Sequence, residues 1–403
     1  MDAKTGVGVR VGRFRRAFGV TRAELAEAVG RNADWLKAVE SGHRRLDRYA
    51  MVHALAEALG VAPADLLGLP CGREDGVTAP AHRALAALRP AVLRTGLPPA
   101  PGAPGAREAP AGPGASSAAV ERLRGRLGTV TRLRAAGRLA DLAAGLTLLL
   151  DDLTAVSAAP GADPDALLPA LFVEALHETA MLAKRLGATD LAAVAANEAR
   201  SRVAAVADPV AEAAVQWLRA EVCLAAGAVP EAAALVDAGL TTTAELLGRS
   251  GPQAWSVWGT LHLVGAVVEA QGGRQAESAR HLAEAAAAVA HAAPGGLDRT
   301  GFGTGEWAVH SLHAALELGE DVGALERVHG VDTTGLPADR QARHGIDRAR
   351  AHTRAGHWDQ AAHELLAADR RAPQVVRSHP LVRELVGTAP RLEAAAGRLG
   401  FAL

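Results

Sequence analysis

Eight residues near the amino end, Arg22, Asn32, Ala33, Asp34, Trp35, Lys37, Arg44 and Arg45, have the types and spacing needed to touch a DNA duplex. Asparagine and lysine reach base edges in the major groove, and arginines a few residues further on reach phosphate oxygens. On a helix covering this stretch, Leu36 and Val39 point to a core. Ala33, Asp34, Lys37 and Ala38 then fall on the faces left open to a partner. Asp34 is the odd member. Near a phosphate it repels, but it can accept a hydrogen bond from a cytosine amino group or strengthen a helix start through the dipole.

A second set of candidates lies downstream. Trp255, Trp258 and His262 share one helix face, Glu306, His310 and His313 share another, and Trp217 with Arg219 adds an aromatic and a cation. They are candidates for a ligand groove, although tryptophans at helical spacing are more often core than pocket. Glu306, His310 and His313 approximate a metal set. One helix alone rarely supplies a complete site and no cysteine is near, so no metal or other cofactor is expected. Signatures of catalysis are missing: there is no GxSxG elbow, no Walker loop, no HExxH and no cysteine–histidine zinc spacing, and the chain reads as non-enzymatic. The glycine-rich TGFGTG at 300–305 follows nothing that reads as a strand, so it is expected to join two helices instead of cradling a phosphate.

The elements that must hold the first set are short helices. Thr21 with Glu24 forms a capping box for one, Leu25, Ala26 and Val29 give it an apolar face, and Gly30 ends it in the left-handed conformation. Asn32 caps the next. Upstream, Val9, Phe14 and Ala17 form an apolar stripe interleaved with Arg10, Arg13, Arg15 and Arg16, which suggests a first helix with its outer face near phosphates. Downstream, Tyr49 to Leu59 is an amphipathic helix stopped by Gly60, and Pro63 stands at a tolerated first-turn position of a fifth.

These residues carry a family resemblance. VGRFRRAFGVTRAELAEAVG, DWLKAVESGHRRLDR and LAEALGVAPADLLG resemble successive pieces of the lambda-repressor-like (XRE-type) helix-turn-helix domain. The segments FGTGEWAVHSLHAALELGE, LPADRQARHGIDRARAHTRAGHWDQAAHELLAADRRAP and SHPLVRELV are similar to the carboxy-terminal part of actinobacterial members that join this domain to tetratricopeptide-like repeats. The resemblance covers most of the chain and is weakest over 98–117. It implies a DNA-binding transcriptional regulator. The probe helix departs from the pattern, because relatives often carry Ser, Thr, Lys or Arg where this chain has Ala33, Asp34 and Ala38.

Charge follows the same division. Residues 1–70 carry net +3 and the remainder −4, within a total of −1 over 403 residues. Arg44, Arg45 and Arg48 stand where such a domain touches the sugar-phosphate backbone, contacts that fix register and make binding salt-sensitive. Aromatic residues are only 3% against 49% hydrophobic, a balance that favours closely packed helices. No window reads as a membrane span or a secretory signal, so a cytoplasmic location is expected, with Cys71 and Cys223 as reduced structural residues.

The expected architecture is all-α: a five-helix helix-turn-helix domain at 1–70, a connecting helix and Pro/Gly-rich linker at 71–117, and a tetratricopeptide-like superhelix at 118–403. The connecting helix, PAHRALAALRPAVLRTG, is expected to pack on the first domain or to bridge subunits. Residues 98–117 hold six prolines and four glycines in twenty positions and read as a tether that leaves the first domain free to reorient. From 118 onward Gly137, Gly187, Gly227, Gly272, Gly319 and Gly356 end successive apolar helices. Ala192, Ala232, Ala324 and Ala361 each follow such a glycine by five positions, where a small residue lets paired helices approach. The array is expected to form a concave face that takes a peptide, a small molecule or a protein segment. A homodimer would place two probe helices in successive major grooves. A second reading is an interaction scaffold whose degenerate helix-turn-helix no longer reads DNA.

Overall fold

The computed structural model describes residues 6–69, 76–97, 113–158, 167–292, 301–320, 322–328 and 332–400. Among them every regular element is a helix. Five short helices come first: α1 (Val7–Ala17), α2 (Arg22–Ala28), α3 (Ala33–Glu40), α4 (Tyr49–Leu59) and α5 (Pro63–Leu67). Their local signals work as the residues imply. Thr21 and Glu24 cap α2 reciprocally, Gly30 takes φ +66°, the Asn32 side chain accepts from the Trp35 amide at 2.8 Å, and Gly60 closes α4 at φ +64°. Leu25, Leu36, Val39, Leu55 and Leu66 form the core of this unit.

The buried face of α1 is not the stripe of Val9, Phe14 and Ala17. Val9 is 41% exposed and Ala17 is also outside, whereas Val7, Gly8, Arg10, Val11, Gly12 and Arg15 face inward. Arg10 and Arg15 are buried because each finds acceptors within the unit. Arg10 Nε donates to the Leu66 carbonyl at 2.6 Å, and Arg15 is bonded to Glu40 and to the Val20 carbonyl. They are struts between helices and leave Arg13 and Arg16 as the exposed cations of α1.

Helix α6 (Ala79–Thr95) packs against α8 (Leu139–Ser157) and α10 (Thr189–Val203), contrary to the expectation that it joins the first domain or a second subunit. Leu88 and Val92 enter the same core as Leu142 and Leu146, and Arg89–Asp190 and Arg94–Asp151 pairs flank the contact. Between them α7 (Pro113–Ala135) begins inside the stretch read as tether, whose last five residues are helical; residues 98–112 and Cys71 lie outside the described residues.

Helical hairpins follow in a repeat-like arrangement: α9 (Leu167–Arg185) with α10, α11 (Pro209–Ala226) with α12 (Val229–Ala244), α13 (Gly251–Gln271) with α14 (Gln275–Val289), α15 (Thr304–Leu318) with α16 (Val322–Val328), and α17 (Ala338–Arg354) with α18 (Trp358–Arg371). Gly187, Gly227, Gly319 and Gly356 make the turns in the left-handed region, and Ala192, Ala232, Ala324 and Ala361, five positions on, are fully buried between paired helices. At the α13–α14 turn the left-handed residue is Gly273 and not Gly272. The residue five positions on is then Ser278, also buried, which donates to the Ala266 carbonyl at 2.8 Å. The loop after Gly301 joins helices as expected and seats Phe302 against Gly259 of α13.

The chain ends with α19 (Pro373–Arg377), α20 (Pro380–Thr388) and α21 (Glu393–Arg398), which fold back on the start of the array. Gln374 accepts from the Ala140 amide at 3.0 Å and donates to the Val77 carbonyl at 3.1 Å, and Arg134 of α7 reaches both Glu178 of α9 and Asp339 of α17. First and last hairpins therefore share one core. No helix among the described residues is long and apolar enough to cross a membrane.

Candidate DNA-binding face and interdomain cavity

Helix α3 presents the residues read from the sequence. Asn32, Ala33, Asp34 and Lys37 are exposed, while Leu36 and Val39 anchor the opposite side in the core. Trp35 is half-buried against that core with the Arg31 guanidinium 5.8 Å from its ring. Lys37 has no ion-pair partner among the described residues, and Arg44, just past the helix, is exposed as well. Arg22 leans on Glu40 at 2.8 Å, with the Arg15 guanidinium on the same carboxylate. The Glu40 carboxyl is pushed up by burial, but those two guanidinium groups outweigh burial and hold it below the ordinary range.

The order helix, left-handed glycine, capped helix with an exposed amino-terminal half is the arrangement that enters a major groove. Residues 7–68 match a family model described as a helix-turn-helix domain. The amino-terminal unit is a helix-turn-helix domain. Neither the curated proteins nor the solved structures contain a match to the chain.

The helix-turn-helix domain is docked on the helical array by its other side. Its α1 starts at Gly6 and its α4 at Arg48, neither of which supplies a side-chain cap. The caps come from far along the chain. Glu384 of α20 accepts from the Val7 amide at 2.8 Å, and Glu317 of α15 accepts from the Ala50 amide at 3.1 Å. A carboxylate at a helix amino terminus satisfies an orphan N–H and complements the dipole. Leu381 of α20 completes the domain's own apolar core.

Charged groups continue the joint. Arg354 Nε meets Asp47 Oδ2 at 2.6 Å, and Arg350 donates to the Asp47 carbonyl, to Glu317 Oε1 at 3.1 Å and to Asp347 Oδ1 at 2.6 Å. His313 bonds Asp347 on its other oxygen at 3.1 Å. Burial raises the Asp47 and Asp347 carboxyls, but the cations around them win. Arg354 and Arg350 hold Asp47 below its ordinary value, and His313, Arg350 and Arg343 hold Asp347 well below. Arg350 has no exposed side-chain surface. Arg45, assigned to phosphate from the sequence, lies half-buried with its guanidinium 5.1 Å from the Trp358 ring, so docking takes this cation while leaving Lys37 and Arg44 open.

Under the docked domain lies a cavity of about 200 Å³. Tyr49, Leu67 and Leu69 of the helix-turn-helix side close it, and the first helices of the hairpins, α9, α11, α13, α15 and α17, form its wall. Of the ligand candidates read from the sequence, the structure brings only His310 and His313 to this wall. Trp217 is buried in the α11–α13 core beside His177. Trp255 stacks on His291, and Trp258 packs on His262, which is bonded to His281 at 2.9 Å. The His262–His281 contact fastens α13 to α14, and Trp255 holds the segment just after α14. Burial and the neighbouring His281 take His262 down to about 3, which keeps its imidazole neutral. Arg219 is held by Gln216, and Glu306 turns to Arg340 at 3.2 Å. Among the described residues no group of three or more His, Cys, Asp or Glu side chains is placed to hold a metal ion.

The charged and imidazole wall residues missed from the sequence are Lys184, Arg185, Glu221, Asp339, Arg340, Arg343, Asp347 and His379. The Lys184–Glu221 pair is tight: burial alone would raise the Glu221 carboxyl, and the adjacent ammonium instead takes it down to about 2. Helix α17, ADRQARHGIDRARAHTR, is rich in charge, yet Asp339, Asp347 and Arg350 on it are buried. A charged helix hides its interior role because periodicity counts apolar side chains only.

Proposed function

We propose that the chain is a cytoplasmic transcriptional regulator of the lambda-repressor-like class, acting as a homodimer whose α3 helices read operator DNA. The observation that carries this reading is the orientation of the docked domain. The α3 face with Asn32, Asp34, Lys37 and Arg44 is open to a duplex, while α1, α4 and the segment before α4 take up the helical array. The array is proposed to be a tetratricopeptide-like sensor, because its first helices line one cavity and small residues recur at fixed offsets after the turns. A ligand there would bias which docked or dimeric arrangement is populated. Targets among specialised-metabolism genes are part of the same proposal.

A second reading, an interaction scaffold that no longer reads DNA, is favoured by one observation. Of the five cations assigned to DNA from Arg22 to Arg48, Arg22 is tied to Glu40, Arg45 lies over Trp358 and Arg48 donates to the Glu317 carbonyl at 3.5 Å. The test is a pull-down of fragmented genomic DNA with the full chain and with a Lys37→Ala, Arg44→Ala double variant. Enrichment of a few sites with a two-fold symmetric motif, lost in the variant, supports the regulator. No enrichment by either supports the scaffold, and equal enrichment by both would overturn the assignment of DNA reading to Lys37 and Arg44.

A further inference from the structure

The charges on the cavity wall do not balance. Lys184 is matched by Glu221, Arg185 by Asp339 at 2.7 Å and Arg340 by Glu306 at 3.2 Å. Among the described residues Arg343 has only Asp347, at 3.7 Å, and that carboxylate is already bonded by Arg350 and His313. The side chain of Arg343 is 37% exposed, and it lines the cavity together with Leu67, Leu69, Val264 and Val267.

His379 lines the same cavity. It is 8% exposed, and both ring nitrogens are shut off from the cavity space and lack a hydrogen-bond partner among the described residues, so His379 bounds the cavity by its ring and backbone and not by a polar group. Burial, with the Arg343 charge behind it, holds His379 well below its ordinary range, so the ring is neutral.

We propose that this cavity binds a small organic acid, its carboxylate on the Arg343 guanidinium and a ring-sized apolar body against the leucine and valine wall. The inference deepens the sensor half of the function proposed above and rests on it. Size matches a small ligand: an apolar cavity of about 150 Å³ accommodates one benzene ring, so about 200 Å³ has room for a ring with a carboxylate. Because Tyr49, Leu67 and Leu69 line the cavity beside the array, the ligand touches the helix-turn-helix side and the array together. Occupancy therefore stabilises the docked arrangement by mass action.

The test uses full-length protein without DNA, so its result is independent of whether the domain reads an operator. A set of ring-sized carboxylates, benzoate, phenylacetate and 4-hydroxybenzoate, is compared by ligand-detected NMR with the matching neutral amides. Two variants are run beside the wild type. Arg343→Met removes the charge, and Ala225→Phe fills the space from α11 and leaves every charge in place. The expected result is saturation transfer to the acids at least tenfold stronger than to the amides, lost in both variants while their circular dichroism and melting remain cooperative. Equal signals from acids and amides, signals unchanged in folded Arg343→Met or Ala225→Phe protein, or no signal from the acids in the wild type would overturn the proposal.

Discussion

Arg350 joins the helix-turn-helix domain to the array through groups with no access to water, and its removal gives the sharpest energetic test of docking. In Arg350→Met protein, Glu317 and Asp347 lose their guanidinium in a site where both side chains have no exposed surface. Breaking a buried pair in this way costs about 3–5 kcal/mol, because a charge is left uncompensated. Glu317 keeps the Ala50 amide and Asp347 keeps His313, so the lower end, about 3 kcal/mol, is expected. Glu317→Gln alone removes a charge but retains an oxygen for that amide, and about 1.5 kcal/mol follows from one charge-assisted bond. With both changes, the Glu317 charge that Arg350→Met would strand is already gone. The double variant should fall short of the summed losses by roughly 1–2 kcal/mol. Urea unfolding of wild type, both single variants and the double variant measures the cycle. Hydrogen exchange at the Ala50 amide, accelerated in each variant, assigns the loss to the joint. Additivity within about 0.5 kcal/mol, or unchanged exchange at Ala50, would refute the reasoning.

Three further outcomes are expected. Asp47 and Asp347 have depressed folded-state values, so their ion pairs contribute stability that is fully present above the unfolded-state value of about 3.9 and is lost as pH falls through the depressed ones. Resistance to urea should therefore decline on acidification below about pH 4, and a joint that weakens only towards alkaline pH contradicts this assignment. Gly8→Ala places a methyl 1.9 Å from the Val39 carbonyl oxygen, a backbone atom of α3 that cannot yield cheaply, and overpacking of this kind costs about 1–3 kcal/mol; a melting temperature equal to the wild type would show that α1 and α3 are not held as described. Arg44→Ala should flatten the salt dependence of DNA binding by about 0.9 in log–log slope, whereas Arg45→Ala should leave the slope unchanged because that guanidinium lies over Trp358; equal changes in the two would mean the domain undocks to bind.

Local signals were the legible part of this chain. Thr21 with Glu24, Gly30 and Asn32 act on neighbours within four residues, and their types alone determine what they do. The alanines after the turns were legible for the same reason. At α13–α14 two adjacent glycines, Gly272 and Gly273, competed for one left-handed position, and the wrong choice hid Ser278 as the small residue of that turn. What stayed hidden depends on partners hundreds of positions away. Arg10 and Arg15 look like surface cations until their acceptors are known, and the charges of α17 are matched only by residues on other parts of the chain and by one another. One signal was present and unused. Three helices of the first domain have an N-cap residue that supplies no side-chain cap, Gly6, Arg48 and Ala62; at Ala62 the Asp65 carboxylate accepts the amide locally, whereas Gly6 and Arg48 leave open where the amides of α1 and α4 find acceptors. Glu384 and Glu317 are the answer, and they locate the joint.

In the function proposed above, the open face of α3 binds DNA while the domain stays docked. The most direct test is the affinity of the full chain for an operator fragment recovered from genomic DNA, titrated against salt, for wild type, the Lys37→Ala, Arg44→Ala double variant and Arg45→Ala. The account predicts that the double variant loses sequence preference and much of the salt slope, while Arg45→Ala binds as the wild type does. Unchanged binding by the double variant would contradict it.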